Sequence, residues 1–474
     1  MKRHNKHNNK RHNNWILFLI SKSGLGYSKQ QLRDEYNLSK KRSILVSKND
    51  KRKRSELQQV ESQHSELRQV EIPKSFHSEK LRDYLNQKEF PEKNLFESLL
   101  DNNFIEIDGV LENKNSASST IIAFGKLLGI NQELVFKISF ESLDEKDNSL
   151  KVERELYKDI IPKMYNFTPH LVQFVHLYDF SDFTNEFDKY MSLIKPSMFV
   201  NFVSGVKDYF APSSKMTNQD ITEKLTIAKK LSTKFEMLKK NGGYNMKESY
   251  FLVTEKSRGD PLNDFMAKET RLEPSFAKDV YFQIAYTLFV FEKFGFMHND
   301  LHPGNIFIET LDDPIDITYR IGDMKCTRKT KYFARIYDFD HSTKMENEYS
   351  GKEVKNTMLD NYFCESIGEC NKFVDNWDWF NFLYMNYNNL LEDPHIETII
   401  PKDILDIKDV DLEDEINAKR GKKLAFSGRA CMCTKKEASK QCEKCSVDYS
   451  ILESVQSPRE YIMRRDVAKW IKEE

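Results

Sequence analysis

The stretch GFMHNDLHPGNIFI, residues 295–308, sets His298, Asp300, His302 and Asn305 close together, directly after an apolar run. That run, SFAKDVYFQIAYTLFVFEKFGF (275–296), carries Phe276, Val280, Ile284 and Leu288 at i, i+4 spacing, which predicts a long buried helix. The following NIFI reads as extended, so a loop between helix and strand would hold the polar side chains together. Downstream, ARIYDFDHS (334–342) predicts a short apolar strand running into Asp338 and Asp340. Upstream, Lys137 lies inside the apolar strand LVFKI (134–138). An inward lysine is costly without an anionic partner, and Glu153 on the next predicted helix is the candidate, with Glu155 competing. Taken alone, Lys137 is a snorkelling residue and the 298–305 cluster a turn beside a helix end. The set in chain order is what argues for a site.

A lysine, a carboxylate, and an Asn with an Asp are what phosphoryl transfer from a nucleotide requires. The lysine grips the phosphates, the carboxylate sits beside the attacking hydroxyl, and the Asn and Asp oxygens hold Mg²⁺. Magnesium prefers hard oxygen ligands and keeps several waters, so two protein ligands suffice beside the phosphates.

HNDLHPGN (298–305) and DFD (338–340) resemble the H-R-D-L-K-P-E-N catalytic loop and D-F-G motif of the protein-kinase superfamily. The resemblance covers roughly residues 100–390. It implies a bilobal α+β fold with a β-rich N-lobe and a helical C-lobe, and a phosphotransferase using ATP and Mg²⁺ on a Ser/Thr protein acceptor. By position it implies Asp300 as catalytic base, with His302 beside it, Asn305 and Asp338 as Mg²⁺ ligands, and Lys137, paired with Glu153, as the phosphate lysine. LVTEKSRGDPLNDFM (252–266) is similar to the hinge and the start of the second lobe, which implies ATP beside Glu255. DNWDWFNFLY (375–384) is similar to the D-x-W helix, with Asp375 and Trp377 in register. The wording HNDLHPGN…DFD, with an Asn- and Lys-rich composition, resembles serine/threonine kinases of giant DNA viruses.

Three departures matter. The window of the glycine-rich phosphate loop, NSASST (115–120), has no glycine, so Ser116, Ser118, Ser119 and Thr120 hydroxyls and backbone amides would have to donate to phosphates. Asn299 and His302 replace the usual Arg and Lys. The missing Arg removes a common anchor for a phosphorylated activation segment, which predicts activity that needs no phosphorylation there. No A-P-E follows Asp338, so the peptide-docking segment is rebuilt and a small-molecule acceptor of the aminoglycoside or choline type stays open. A pseudokinase scaffold is the third reading, favoured by the glycine-free loop and opposed by the presence of Asp300, Asn305 and Asp338 together.

Around this centre the chain divides by composition. Residues 1–54 hold 16 Lys/Arg and 3 Asp/Glu, a charge of +13 that leaves −14 on the rest of a chain whose net charge is −1. The expected domains are a basic, largely disordered arm over 1–90, an N-lobe over 95–255 with an insertion at 181–248, a C-lobe over 256–420, and a Cys-rich extension over 421–474. The arm is a solvated tail or a polyanion contact, nucleic acid included, acting through charge alone. SELQQVE (55–61) recurs as SELRQVE (65–71) and hints at a short amphipathic helix. Between Asn305 and Asp338 a hairpin insertion is expected at about 309–333.

Cys431, Cys433, Cys442 and Cys445 follow C-x-C-x8-C-x2-C, which can build a Zn²⁺ site or leave partly buried thiols. Seven cysteines in 474 residues do not make a disulfide framework. No run reaches the roughly 18 apolar residues that span a bilayer. The expectation is a soluble, intracellular protein without a membrane partner, in host cytoplasm or nucleus if viral. SPREYIMRRDVAKWIKEE (457–474) predicts a closing helix with Ser457 as N-cap, Pro458 at N1 and Glu460 at N3.

Overall fold

The computed structural model describes residues 66–74, 76–87, 105–111, 120–145, 147–189, 218–268, 274–347, 350–359, 371, 373–389, 394–400, 452 and 455–472. The chain divides at Glu66, and every element below belongs to the unit Leu67–Glu474. Its order is α1 (His77–Gln87), β1 (Ile105–Val110), β2 (Thr120–Leu127), β3 (Gln132–Ser142), α2 (Ser149–Asp159), α3 (Ile161–Met164), β4 (Phe174–Phe180), α4 (Asn218–Asn241) and β5 (Tyr244–Glu255). There follow β6 (Asp260–Pro261), α5 (Leu262–Lys268), α6 (Pro274–Lys293), β7 (Phe296–Met297), β8 (Ile306–Ile321), β9 (Met324–Ile336), β10 (Thr343–Lys344), α7 (Trp377–Asn389), α8 (Pro394–Glu397), α9 (Pro458–Ile462) and β11 (Ile471–Lys472).

The first lobe is one antiparallel five-stranded sheet in the order β1-β2-β3-β5-β4. In β3 the buried residues Leu134, Phe136 and Ile138 alternate with the partly exposed Val135 and Lys137. The period of two sends the lysine to the face opposite that apolar row. Leu81 of α1 and Leu231, Phe235 and Leu238 of α4 close over the apolar side.

The second lobe grows around α6. The predicted line Phe276, Val280, Ile284 and Leu288 is buried; Ala277, Lys278 and Asp279 are half-buried, and from Val280 to Phe291 every residue is buried, so over that stretch α6 is an all-round core helix rather than an amphipathic one. The insertion is a long hairpin, β8 against β9, running from Ile306↔Ile336 to Ile321↔Met324 and closed by Gly322 at φ +54° and Asp323. The pairing at its open end is what sets Asn305 beside Tyr337 and Asp338.

Three boundaries move. The 1–90 arm is expected to be largely disordered; within it Leu67, Phe76 and Leu81 are core residues and 77–87 is helical. Apolar side chains spaced through a polar stretch carry this segment into the body. The second repeat copy is extended rather than helical: Leu67 bridges Ile321 and Glu71 bridges Thr318 on β8, with Arg320 on Glu71 at 2.8 Å. At the other end the 421–474 extension is not separate throughout. The Tyr461 ring packs tilted against Trp379 with centroids 5.4 Å apart, and β11 pairs with β9. Its helix stops at Ile462, well short of 474, although the Ser457–Glu460 capping box forms as the sequence predicts. Residues 1–54 and the four cysteines 431, 433, 442 and 445 lie outside the described residues. Among the described residues no helix is long and apolar enough to cross a membrane.

Candidate active site

The loop after β7 is built on a buried carboxylate. Asp378, in the first turn of α7, accepts from the amides of His298 at 2.7 Å and Asn299 at 2.8 Å. Asn299 takes φ +65°, a region that Asn tolerates better than most residues, and donates its amide to the His341 carbonyl at 3.0 Å. The sequence register with the D-x-W helix points to Asp375; the anchoring carboxylate sits three residues later, where the helix has turned it toward the loop. A carboxylate in the first turn after a turn residue was the available signal.

His298 is fully buried and its Nε2 is 2.9 Å from the Tyr337 carbonyl. A carbonyl only accepts, so Nε2 carries the proton. Burial holds the ring down at about 4, hence neutral at pH 7. It is a strut between the loop and Tyr337, the residue between the end of β9 and Asp338.

Asn305 donates from Nδ2 to the Asp300 carbonyl at 2.9 Å and to Asp300 Oδ2 at 3.3 Å. Its own carbonyl accepts from the Tyr337 amide at 3.2 Å. With Nδ2 spent on Asp300, Oδ1 is the atom left to face a cation. Asp338 takes φ +67°, the left-handed region that Asp tolerates as a single residue. A carboxylate and an amide oxygen are hard donors of the kind that Mg²⁺ accepts, so the chemistry of these two residues fits that ion.

His302 caps the single 3-10 turn Pro303–Asn305, its Nδ1 accepting from the Gly304 amide at 3.0 Å. That bond puts the ring proton on Nε2, which lies 3.7 Å from Asp300 Oδ2. Burial lowers the pKa of His302, so it does not restore the charge of the lysine it replaces. A Cβ at position 304 would lie 2.6 Å from the His302 ring, which is why glycine follows Pro303.

From the other lobe Lys137 Nζ reaches Glu153 Oε1 at 2.8 Å and Asp338 Oδ1 at 2.9 Å. Burial opposes its charge, but Asp338 and Glu153 beside it raise its pKa well above the ordinary lysine value. Burial likewise pushes Asp338 up, and Lys137 outweighs it, leaving the carboxyl below its usual value. Glu153 is 1% exposed and takes a second bond from Tyr250 Oη at 2.8 Å; burial raises its pKa against the pull of Lys137. Of the competing helix carboxylates, Glu153 is therefore the one that meets the lysine. Burial and the neighbouring Asp338 raise Asp340.

Two expected nucleotide contacts go elsewhere. The Glu255 carboxylate is 1% exposed, pairs with Arg335 at 2.9 Å and accepts from the Gln173 amide at 2.9 Å, so it serves the interior behind the hinge and not the cleft. A half-buried hinge carboxylate reads alike in sequence whichever way it turns. The Thr120 hydroxyl lies 3.3 Å from Ser139 Oγ, its cross-strand partner. Ser116, Ser118 and Ser119 lie outside the described residues.

The family model of the protein kinase domain matches residues 205–425. That segment holds the 298–305 loop and Asp338; Lys137 and Glu153 precede it and meet Asp338 through the fold. No curated protein matches the chain. Among solved structures, the crystal structure of Rad53 1-466 in complex with AMP-PNP matches at 15% identity with a TM-score of 0.26. The match covers 51% of this chain and 41% of that one, so the chain spans less than half of that protein. The described residues form an α+β fold, a five-stranded antiparallel sheet followed by a lobe built around α6, and over residues 205–425 the chain is similar to the protein kinase domain.

Proposed function

We propose that the chain is an ATP-dependent phosphotransferase acting on a hydroxyl acceptor, the family match supporting a protein acceptor and the resemblance of the 298–305 motif suggesting its Ser or Thr. One observation carries the reading. Lys137 touches both Glu153 and Asp338, residues 16 and 201 positions away in the chain, while Asn305 holds Asp300. A scaffold has no use for a lysine raised and oriented in this way beside two oxygen donors for a hard cation.

The roles follow from the groups. Asp300 accepts the proton of the attacking hydroxyl, its carboxylate fixed from behind by Asn305. Neutral His302 turns its Nε2–H toward the same carboxylate. Lys137 supplies positive charge for the phosphates and is kept extended by Glu153, itself held by Tyr250. Asp338 and Asn305 Oδ1 would hold Mg²⁺, which when bound neutralises charge on the phosphoryl oxygens.

The test is transfer from [γ-³²P]ATP, with and without Mg²⁺, to protein mixtures and to small polar alcohols. Asp300→Asn should cut transfer by about 10²- to 10⁴-fold at an unchanged melting temperature. Label on alcohols alone would move the acceptor class to small molecules. Full turnover by the variant, or no Mg·ATP-induced thermal shift in the wild type, would remove the reading.

A further inference from the structure

Asn148 stands at the N-cap of α2, where an Asn side chain ordinarily accepts from the helix's first amides. Here it makes no such bond. The first-turn amide of Ser149 is instead taken by Asp147 Oδ1 at 3.1 Å, which also accepts from Ser149 Oγ at 2.6 Å. The Asn148 amide is turned outward and used at both ends: Nδ2 donates to the Lys355 carbonyl at 2.9 Å, and Oδ1 accepts from the Thr357 amide at 2.7 Å. One side chain thus brackets residue 356 of the segment that follows Asp338, and it does so from the helix that bears Glu153.

The bracketed segment is itself fixed by uncharged groups and one buried lysine. Asn356 Nδ2 donates to the Asp340 carbonyl at 2.7 Å. Lys344 is fully buried, and its ammonium donates to the Gly351 carbonyl at 2.8 Å and to that of Lys352. Lys344 and Val354 pair as a bridge, Asn347 pairs with Gly351, and Ser350 Oγ donates to the Phe294 carbonyl at 2.8 Å.

We propose that Asn148 is a positioning residue, a built-in clamp that holds α2, and with it Glu153 and Lys137, against the segment after Asp338, so that the site is set without phosphorylation of that segment. The clamp rests on the phosphotransfer reading for its turnover readout alone.

Two variants separate a clamp from a cap. Asn148→Ser keeps a side chain able to cap but is too short to reach residues 355 and 357; Asn148→Ala removes the bracket and leaves no side chain that could cap. Hydrogen–deuterium exchange on the full-length protein should show residues 353–357 and the first turns of α2 exchanging faster in both variants. Both should lose about tenfold in kcat, with a smaller change in KM for ATP and an unchanged melting temperature for Asn148→Ser. Phosphatase treatment of the wild type should leave its turnover unchanged. Wild-type exchange and turnover in Asn148→Ser would make Asn148 a cap and overturn the proposal, as would loss of wild-type activity on phosphatase treatment. The exchange comparison decides the clamp even where the wild type transfers no phosphate, a result that would count against the phosphotransfer reading alone.

Discussion

Two ionic clusters of similar make-up sit on either side of the hinge strand β5, and they differ in one respect. In the cleft, Lys137 lies between Glu153 and Asp338, with side-chain exposures of 19%, 1% and 35%. Behind the hinge, Arg335 lies between Glu255 and Glu309, at 1%, 1% and 11%. Both are one cation between two carboxylates. The open cluster leaves Asp338 in contact with solvent and able to change partners; the sealed one has Arg335 Nη2 on Ser78 at 2.9 Å and on His77 as well, which ties α1 to the strand that leads to Asp338. Burial, and not composition, separates a working cluster from a joint.

The comparison breaks most sharply by removing each cation. Lys137→Met should cost about 10²- to 10³-fold in turnover, the scale for deleting one preorganised donor, with little change in melting temperature. Glu153 keeps its Tyr250 bond and can take up a proton, and Asp338 faces water. Arg335→Met should instead destabilise the fold by about 3–5 kcal/mol, because two carboxylates are left in a sealed site without their partner. Denaturant titration and turnover per folded molecule measure the two effects. If Arg335→Met melts like the wild type, the sealed cluster is not a joint.

A second effect belongs to the histidines packed round the same strands. His170 is buried, its Nδ1–H donating to the Ala334 carbonyl at 3.0 Å and its Nε2 accepting from Tyr319 Oη at 2.8 Å. Burial lowers it to about 3, and His77 likewise to about 3, with His176 and His298 at about 4. In the unfolded chain these rings take up protons near pH 6.5, while the folded chain refuses them down to pH 3–4. Stability therefore falls as the pH drops from about 6.5 toward 4. Thermal melts across that window should show the decline, and His170→Gln should flatten it. A variant with the same slope as the wild type would mean that His170 is not held neutral.

What could be read beforehand was what chemistry writes in short range. The 298–305 loop, Asp338 and Lys137 in its apolar strand each follow from local pattern, and the next helix offered Glu153 with Glu155 competing. The hairpin between Asn305 and Asp338 was legible from spacing. What was not legible depends on direction. Asn148 before a helix reads as a cap, Glu255 as a hinge contact, Arg335 as one more basic strand residue, and Asp375 fits the motif better than Asp378 does. In each case the residue type permits two orientations, and only packing from distant parts of the chain chooses between them. The segment 67–87 was misread for a related reason. Its Leu67, Phe76 and Leu81 are too widely spaced among polar residues to show a period, and they are buried because β8, β9 and β1–β3 offer surfaces to cover.

The smallest effect sets the scale for both clusters. Ser457 caps α9 in a reciprocal box, its Oγ accepting from the Glu460 amide at 3.2 Å while Glu460 Oε2 accepts from the Ser457 amide at 2.8 Å. These bonds are exposed, so water replaces them when they are lost, and Ser457→Ala should cost about 1 kcal/mol. Turnover per folded molecule should not move, since both bonds of the box are made within α9, whose Tyr461 packs on Trp379. Arg335, by contrast, has no water to replace it. The ratio of the two losses in denaturant titrations, about three to five in favour of Arg335, measures how much of a polar contact's worth comes from being sealed. A ratio near one would mean that the hinge cluster is hydrated in solution and that its difference from the cleft cluster is one of degree.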